Sequence, residues 1–139
     1  KHQENAEKVA DYLSTKENVN RVIHPKYQLG IHKERADKYL EDGAGPLVGF
    51  ELEGGIEAGK AFIDNLELIY HVANIGDART LAIHPASTTH SQLNTEDQLR
   101  AGVTPGYIRL SVGIEHIDDI IHDIDQAINK AQEKVKSVA

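Results

Sequence analysis

The chain has 139 residues, 40% of them hydrophobic and 27% charged, enough for one domain with a core and too few for two. Fifteen Lys and Arg against twenty-two Asp and Glu leave a net charge of −7, which excludes a general nucleic-acid or anionic-membrane binder, since both rely on positive surface. No apolar run approaches the roughly 18 residues of a membrane span, and the lack of cysteine excludes disulfides, thiolate metal sites and a Cys nucleophile while fitting a cytoplasmic protein.

The chain starts at Lys1 and passes directly into helical pattern; we expect a piece of a larger protein. Over residues 2–16 the apolar Ala6, Val9, Ala10 and Leu13 fall at helical spacing. "RVIHP" reads as a short strand closed by Pro25, and residues 33–40 as a second short helix. After the breaker "DGAGP", "PLVGFEL" is predicted to be a strand, followed by a helix of about three turns in "EGGIEAGKAFIDNL". "LIYHVANIG" and "TLAIH" read as strands with the turn "GDAR" between them. The segment "HPASTTHSQLNTEDQLRAG" is polar, with a helical turn capped by Asn94 or Thr95. In "YIRLSVGIE", Ile108, Leu110 and Val112 alternate with Arg109 and Ser111, as in a strand with one apolar face. Ile117, Ile120, Ile121, Ile124, Ile128, Ala131 and Val135 then trace one stripe of a five-turn helix, with Asp118 and Asp119 in its first turn. Connections too short for helical crossovers predict an α/β domain of α+β type: a small, mixed, largely antiparallel sheet with helices packed on one face.

Four motifs bear on chemistry. "GGIEAGKA" matches the spacing of a phosphate-binding loop, but Ala61 follows Lys60 where a magnesium-ligating hydroxyl is needed, so a tight glycine turn into a helix is the better reading. "STKEN" places Lys16 at the exposed end of a helix, with nothing apolar to lower its pKa. The eight histidines make no three-ligand metal set; Asp118 with His122, and His84 with His90, are the nearest pairs, and Ser87 with His90 lacks a nucleophile elbow. "IHPASTTH" and "YIRLSVG" combine a hydroxyl-rich loop with a single strand arginine, which is either an ordinary surface charge or a preorganised fork for a carboxylate.

"NIGDARTLAIHPASTTHSQL" followed by "GVTPGYIRLSVGIEHIDDIIHDIDQAI" closely resembles the C-terminal domain of the Cys/Met-metabolism, pyridoxal-phosphate-dependent enzymes, and the upstream "GFELEGGIEAGKAFIDNLELIYHVANIGD" and "NVNRVIHP" extend the resemblance over essentially the whole chain. The resemblance is strongest to the sulfhydrylase branch, whose reaction displaces acetate from O-acetylhomoserine with sulfide; the γ-lyases and cystathionine γ-synthases are the alternative within the family. It implies that Arg109 grips the α-carboxylate of a small amino-acid substrate. It further implies that Asn74, serine in the lyase and cystathionine-forming branches, lines the same pocket, and that Thr89 lies near the cofactor-bearing lysine. The family's Schiff-base lysine, ring-stacking tyrosine and pyridine-pairing aspartate have no counterpart here. The resemblance therefore implies a single C-terminal domain over residues 1–139, with no catalytic residue of its own, no metal, and no cofactor bound alone. The full-length enzyme is expected to hold pyridoxal phosphate and to form a homotetramer. A stand-alone carboxylate-binding or assembly module is the competing expectation from another class.

Overall fold

The computed structural model describes residues 1–138. Helix α1 (His2–Ser14) leads into β1 (Val19–Ile23), a 3₁₀ turn (Pro25–Tyr27) and α2 (Gly30–Tyr39). Strand β2 (Leu47–Leu52), α3 (Gly55–Asp64), β3 (Tyr70–His71) and β4 (Leu81–Ile83) follow. A second 3₁₀ turn (Pro85–Ser87), α4 (Thr95–Arg100), β5 (Tyr107–Ser111) and the long α5 (Ile117–Val138) complete the chain. The five strands lie in the order β1-β2-β5-β4-β3. All pairings are antiparallel except β3 with β4, so the sheet is mixed and largely antiparallel, as the short connections imply.

Strand alternation sends Val48, Phe50 and Leu52 of β2, and Ile108, Leu110 and Val112 at β5, to one face of the sheet, where all are buried. Helices α1, α3 and α5 cover that face with Val9, Leu13, Phe62, Ile120, Ile124 and Ile128, none more than 1% exposed. Phe50 meets Phe62 edge to face at 5.4 Å between ring centres. Fully burying each such side chain contributes about 1.5–3 kcal/mol, so this layer holds the domain together.

Two regions depart from the sequence pattern. "LIYHVANIG" and "TLAIH" form no hairpin across "GDAR": β3 keeps only two residues and runs parallel to β4. The chain between them is caught by side chains instead. Gly76 N–H donates to Ser111 Oγ at 3.2 Å, and Arg79 N–H to Asp77 Oδ1 at 2.9 Å. Helix α2 starts at Gly30, three residues before the range expected from the sequence, buries no residue, and stands over the opposite face of the sheet beside the first 3₁₀ turn.

Candidate functional site

The face of the sheet away from the helical core carries its own rows of side chains. Register places Ile23, Gly49, Arg109 and Ile83 side by side across β1, β2, β5 and β4. The next row is Arg21, Glu51 and Tyr107. Arg109 thus projects from the middle strand of the sheet, with hydrogen-bonded neighbours on both sides to keep its backbone still. Gly49 leaves room for Tyr107, because a Cβ there would lie 2.8 Å from the Tyr107 ring and 3.2 Å from Ile23 Cβ.

Arg109 is half-buried. Its Nη2 donates to the backbone carbonyl of Asn74 at 3.3 Å. Its Nε is shielded from solvent and has no hydrogen-bond partner among the described residues. A buried donor left unmet costs roughly 1–3 kcal/mol, so a shift of the side chain that brought an acceptor to this N–H would be favoured. Burial pushes the Tyr107 phenol above its ordinary pKa, against the opposing pull of Arg109 and Arg21. Neutral Tyr107 therefore adds no competing negative charge beside the guanidinium.

Two grooves meet at Arg109. One, of about 470 Å³, is bounded by Ile83, Thr89, His90, Val103 and Tyr107. The other, of about 620 Å³, runs beneath α2 past His24, His32, Arg35 and Tyr39. His24 is 1% exposed, its Nδ1 accepts from Lys26 N–H at 3.2 Å, and burial lowers its pKa.

The loop bearing Thr89 is tied from two directions. Gln98 of α4 donates through Nε2 to the carbonyls of Ala86 (3.2 Å) and His90 (2.8 Å). Asn94 caps α4 by accepting from Asp97 N–H at 2.9 Å. Beneath the loop, His84 is fully buried, with Nε2 2.6 Å from the Pro105 carbonyl and Nδ1 2.7 Å from Ser87 Oγ. A carbonyl only accepts, so Nε2 carries a proton, and in the neutral ring that burial favours Nδ1 accepts from the Ser87 hydroxyl. Burial lowers its pKa in the same direction.

The structure brings Arg109 and Thr89 into one groove. Asn74 approaches Arg109 with its main-chain carbonyl, while its side-chain Oδ1 accepts from Ile75 N–H at 2.9 Å. The Thr89 hydroxyl lies 2.9 Å from His90 Nδ1. Ser87 pairs with His84 rather than His90. Lys16 is held by Asp125 at 2.5 Å, a bond that raises its pKa and keeps it a cation. In "GGIEAGKA", Gly54 (φ +102°) and Gly55 (φ +62°) turn the chain into α3, and Gly59 and Lys60 lie within the helix rather than in a phosphate-cradling loop. No cluster of three or more metal-ligating side chains occurs among the described residues. Gln98 escapes the sequence pattern, and His84 enters it only as a metal-ligand pair with His90, not as the buried tie it forms.

A model of the Cys/Met metabolism PLP-dependent enzyme family matches residues 1–129. The chain belongs to that family. It is similar to an O-acetyl-L-homoserine sulfhydrylase of Leptospira meyeri, at 51% identity over 92% of this chain and 29% of that protein. It is also similar to an L-methionine gamma-lyase of Fusobacterium nucleatum subsp. polymorphum, at 42% identity over 94% of this chain and 33% of that one. The crystal structure of a protein described as an O-acetylhomoserine (thiol)-lyase, from Campylobacter jejuni subsp. jejuni, superposes with a TM-score of 0.84 and 40% identity, over 92% of this chain and 30% of that chain. That crystal structure contains N'-pyridoxyl-lysine-5'-monophosphate. This member of the Cys/Met metabolism family thus spans about a third of the length of the relatives it matches. The residues bordering its two grooves include no lysine amine and no acidic side chain. They fit an anionic substrate group and do not fit the cofactor itself, which needs an amine for its carbonyl and an acid for its ring nitrogen.

Proposed function

We propose that this chain is the C-terminal, substrate-carboxylate-binding domain of a PLP-dependent O-acetylhomoserine sulfhydrylase, and that Arg109 is the carboxylate clamp. The observation that carries this reading is the place of Arg109 on the middle strand, at the junction of two grooves, with one side-chain hydrogen bond among the described residues, to the Asn74 carbonyl. A planar fork on a central strand can take both oxygens of a carboxylate at once. The Asn74 carbonyl holds Nη2 and so fixes one edge of the guanidinium. Thr89 offers a hydroxyl in the same groove, and the Asn74 amide would supply a further donor if its side chain turned toward it. Electron-sink chemistry on the amino-acid carbon belongs to pyridoxal phosphate, held by a part of the enzyme other than this chain; the residues here bind and orient. The domain alone is expected to be inactive. The sulfhydrylase reading is favoured by the 51% identity to the Leptospira protein. The 42% identity to a γ-lyase keeps lyase activity as the second reading.

The test is Arg109→Lys in the full-length enzyme. Lysine keeps the charge and loses the fork. Loss of a charge-assisted pair worth roughly 1.5–3 kcal/mol should raise KM for O-acetylhomoserine by about 10- to 150-fold. An unchanged KM would remove Arg109 from the substrate site. Assays with sulfide, with cysteine and with no acceptor separate sulfhydrylase, cystathionine-forming and lyase activity.

A further inference from the structure

We infer that His84 is a positioning residue, one that sets the separation between the Thr89 loop and the Tyr107–Arg109 segment and so governs the grip on the substrate's carboxylate. The inference rests on the carboxylate role proposed for Arg109.

Three contacts support it. His84 follows directly on β4, whose last residue, Ile83, lies opposite Arg109 in the sheet. From there its ring bonds in two directions. Nε2 holds the carbonyl of Pro105, at the entry to β5 two residues before Tyr107, and Nδ1 holds the hydroxyl of Ser87, two residues before Thr89. The two bonds thus end on the two segments whose Thr89 and Tyr107 both line the groove at Arg109. The His84 carbonyl adds a third tie by accepting from Thr88 Oγ1 at 2.8 Å. On the remaining side α3 presents Gly59, where any Cβ would collide with the imidazole. The ring is therefore confined sterically as well as by hydrogen bonds. A buried aliphatic side chain could fill this volume, but it could not tie both segments; the need for a donor and an acceptor on opposite edges of one ring is what histidine meets.

The experiment uses the full-length enzyme with O-acetylhomoserine and sulfide. His84→Leu removes both bonds and should raise KM for the amino acid roughly tenfold, with kcat changed by less than about threefold. His84→Gln, whose amide N–H can keep the bond to the Pro105 carbonyl alone, should restore part of the lost KM. Ser87→Ala removes one tie alone and should give a smaller rise. Wild-type KM in His84→Leu, or wild-type KM in Ser87→Ala, would overturn the role. Should His84→Leu fail to fold, Ser87→Ala decides, since a wild-type KM there refutes the tether. Arg109→Lys is measured alongside. A raised KM in that variant with normal values in the His84 and Ser87 variants refutes His84 alone. A normal KM in Arg109→Lys removes the carboxylate reading on which it stands.

Discussion

Gly59 shows two residue-level effects set against each other. It lies within α3, where alanine would ordinarily stabilise a helix by about 1 kcal/mol. A methyl group at that position, however, falls on the His84 ring, which is itself held at both nitrogens and cannot move aside freely. Overpacking of this kind costs typically 1–3 kcal/mol, so the steric effect should win. Gly59→Ala is expected to lower the melting temperature despite its better helix propensity, and a more stable variant in thermal unfolding would mean the ring has somewhere to go. Arg109 is a contrasting case: its placement is legible from the strand alternation around it, whereas the lack of a partner for its buried Nε among the described residues is not. Alternation reports which face a side chain takes; it does not report what fails to meet it there.

Elements with dense periodicity were legible for the same reason that they are stable. In α5 the stripe from Ile117 to Val135 predicts both the helix and its buried face, and Ile120, Ile124 and Ile128 are indeed in the core. The β3 region was misread because its shape is imposed from outside. The buried Asp123 of α5 accepts from the N–H groups of Glu67, Leu68 and Ile69 at 2.8–2.9 Å, drawing the chain away from a hairpin path. Ser111 of β5 then captures Gly76. Neither acceptor is adjacent in sequence to the segment it shapes, so no local pattern encodes the outcome. Ser111→Ala should leave the Gly76 N–H without its acceptor. Hydrogen exchange at Gly76 is expected to quicken while the amides of β2 and β5 keep their protection; uniform acceleration across the sheet would show instead that Ser111 supports the whole fold.

At the scale of the molecule, two neutral imidazoles set a pH dependence. His24 and His84 are both pushed below the ordinary histidine pKa by burial. Once unfolded they titrate near 6.5, so below that value the unfolded chain takes up protons that the folded chain resists. Stability should then decline as pH falls from about 7 to about 5. Asp11 and Asp125, lowered by hydrogen bonds to Lys26 and Lys16 respectively, add a second loss only as pH passes below about 4. Melting temperatures taken across that range check this, and a flat profile from pH 7 to 5 would show that both rings protonate freely in the fold. The sheet itself separates two demands on the sequence. Along β5, Ile108 and Leu110 serve the packed layer, while Tyr107 and Arg109 serve the grooves. One strand therefore writes two messages on alternate residues, and because neighbouring positions face opposite sides, the groove-facing residues can be exchanged without touching the packed layer that keeps the domain folded.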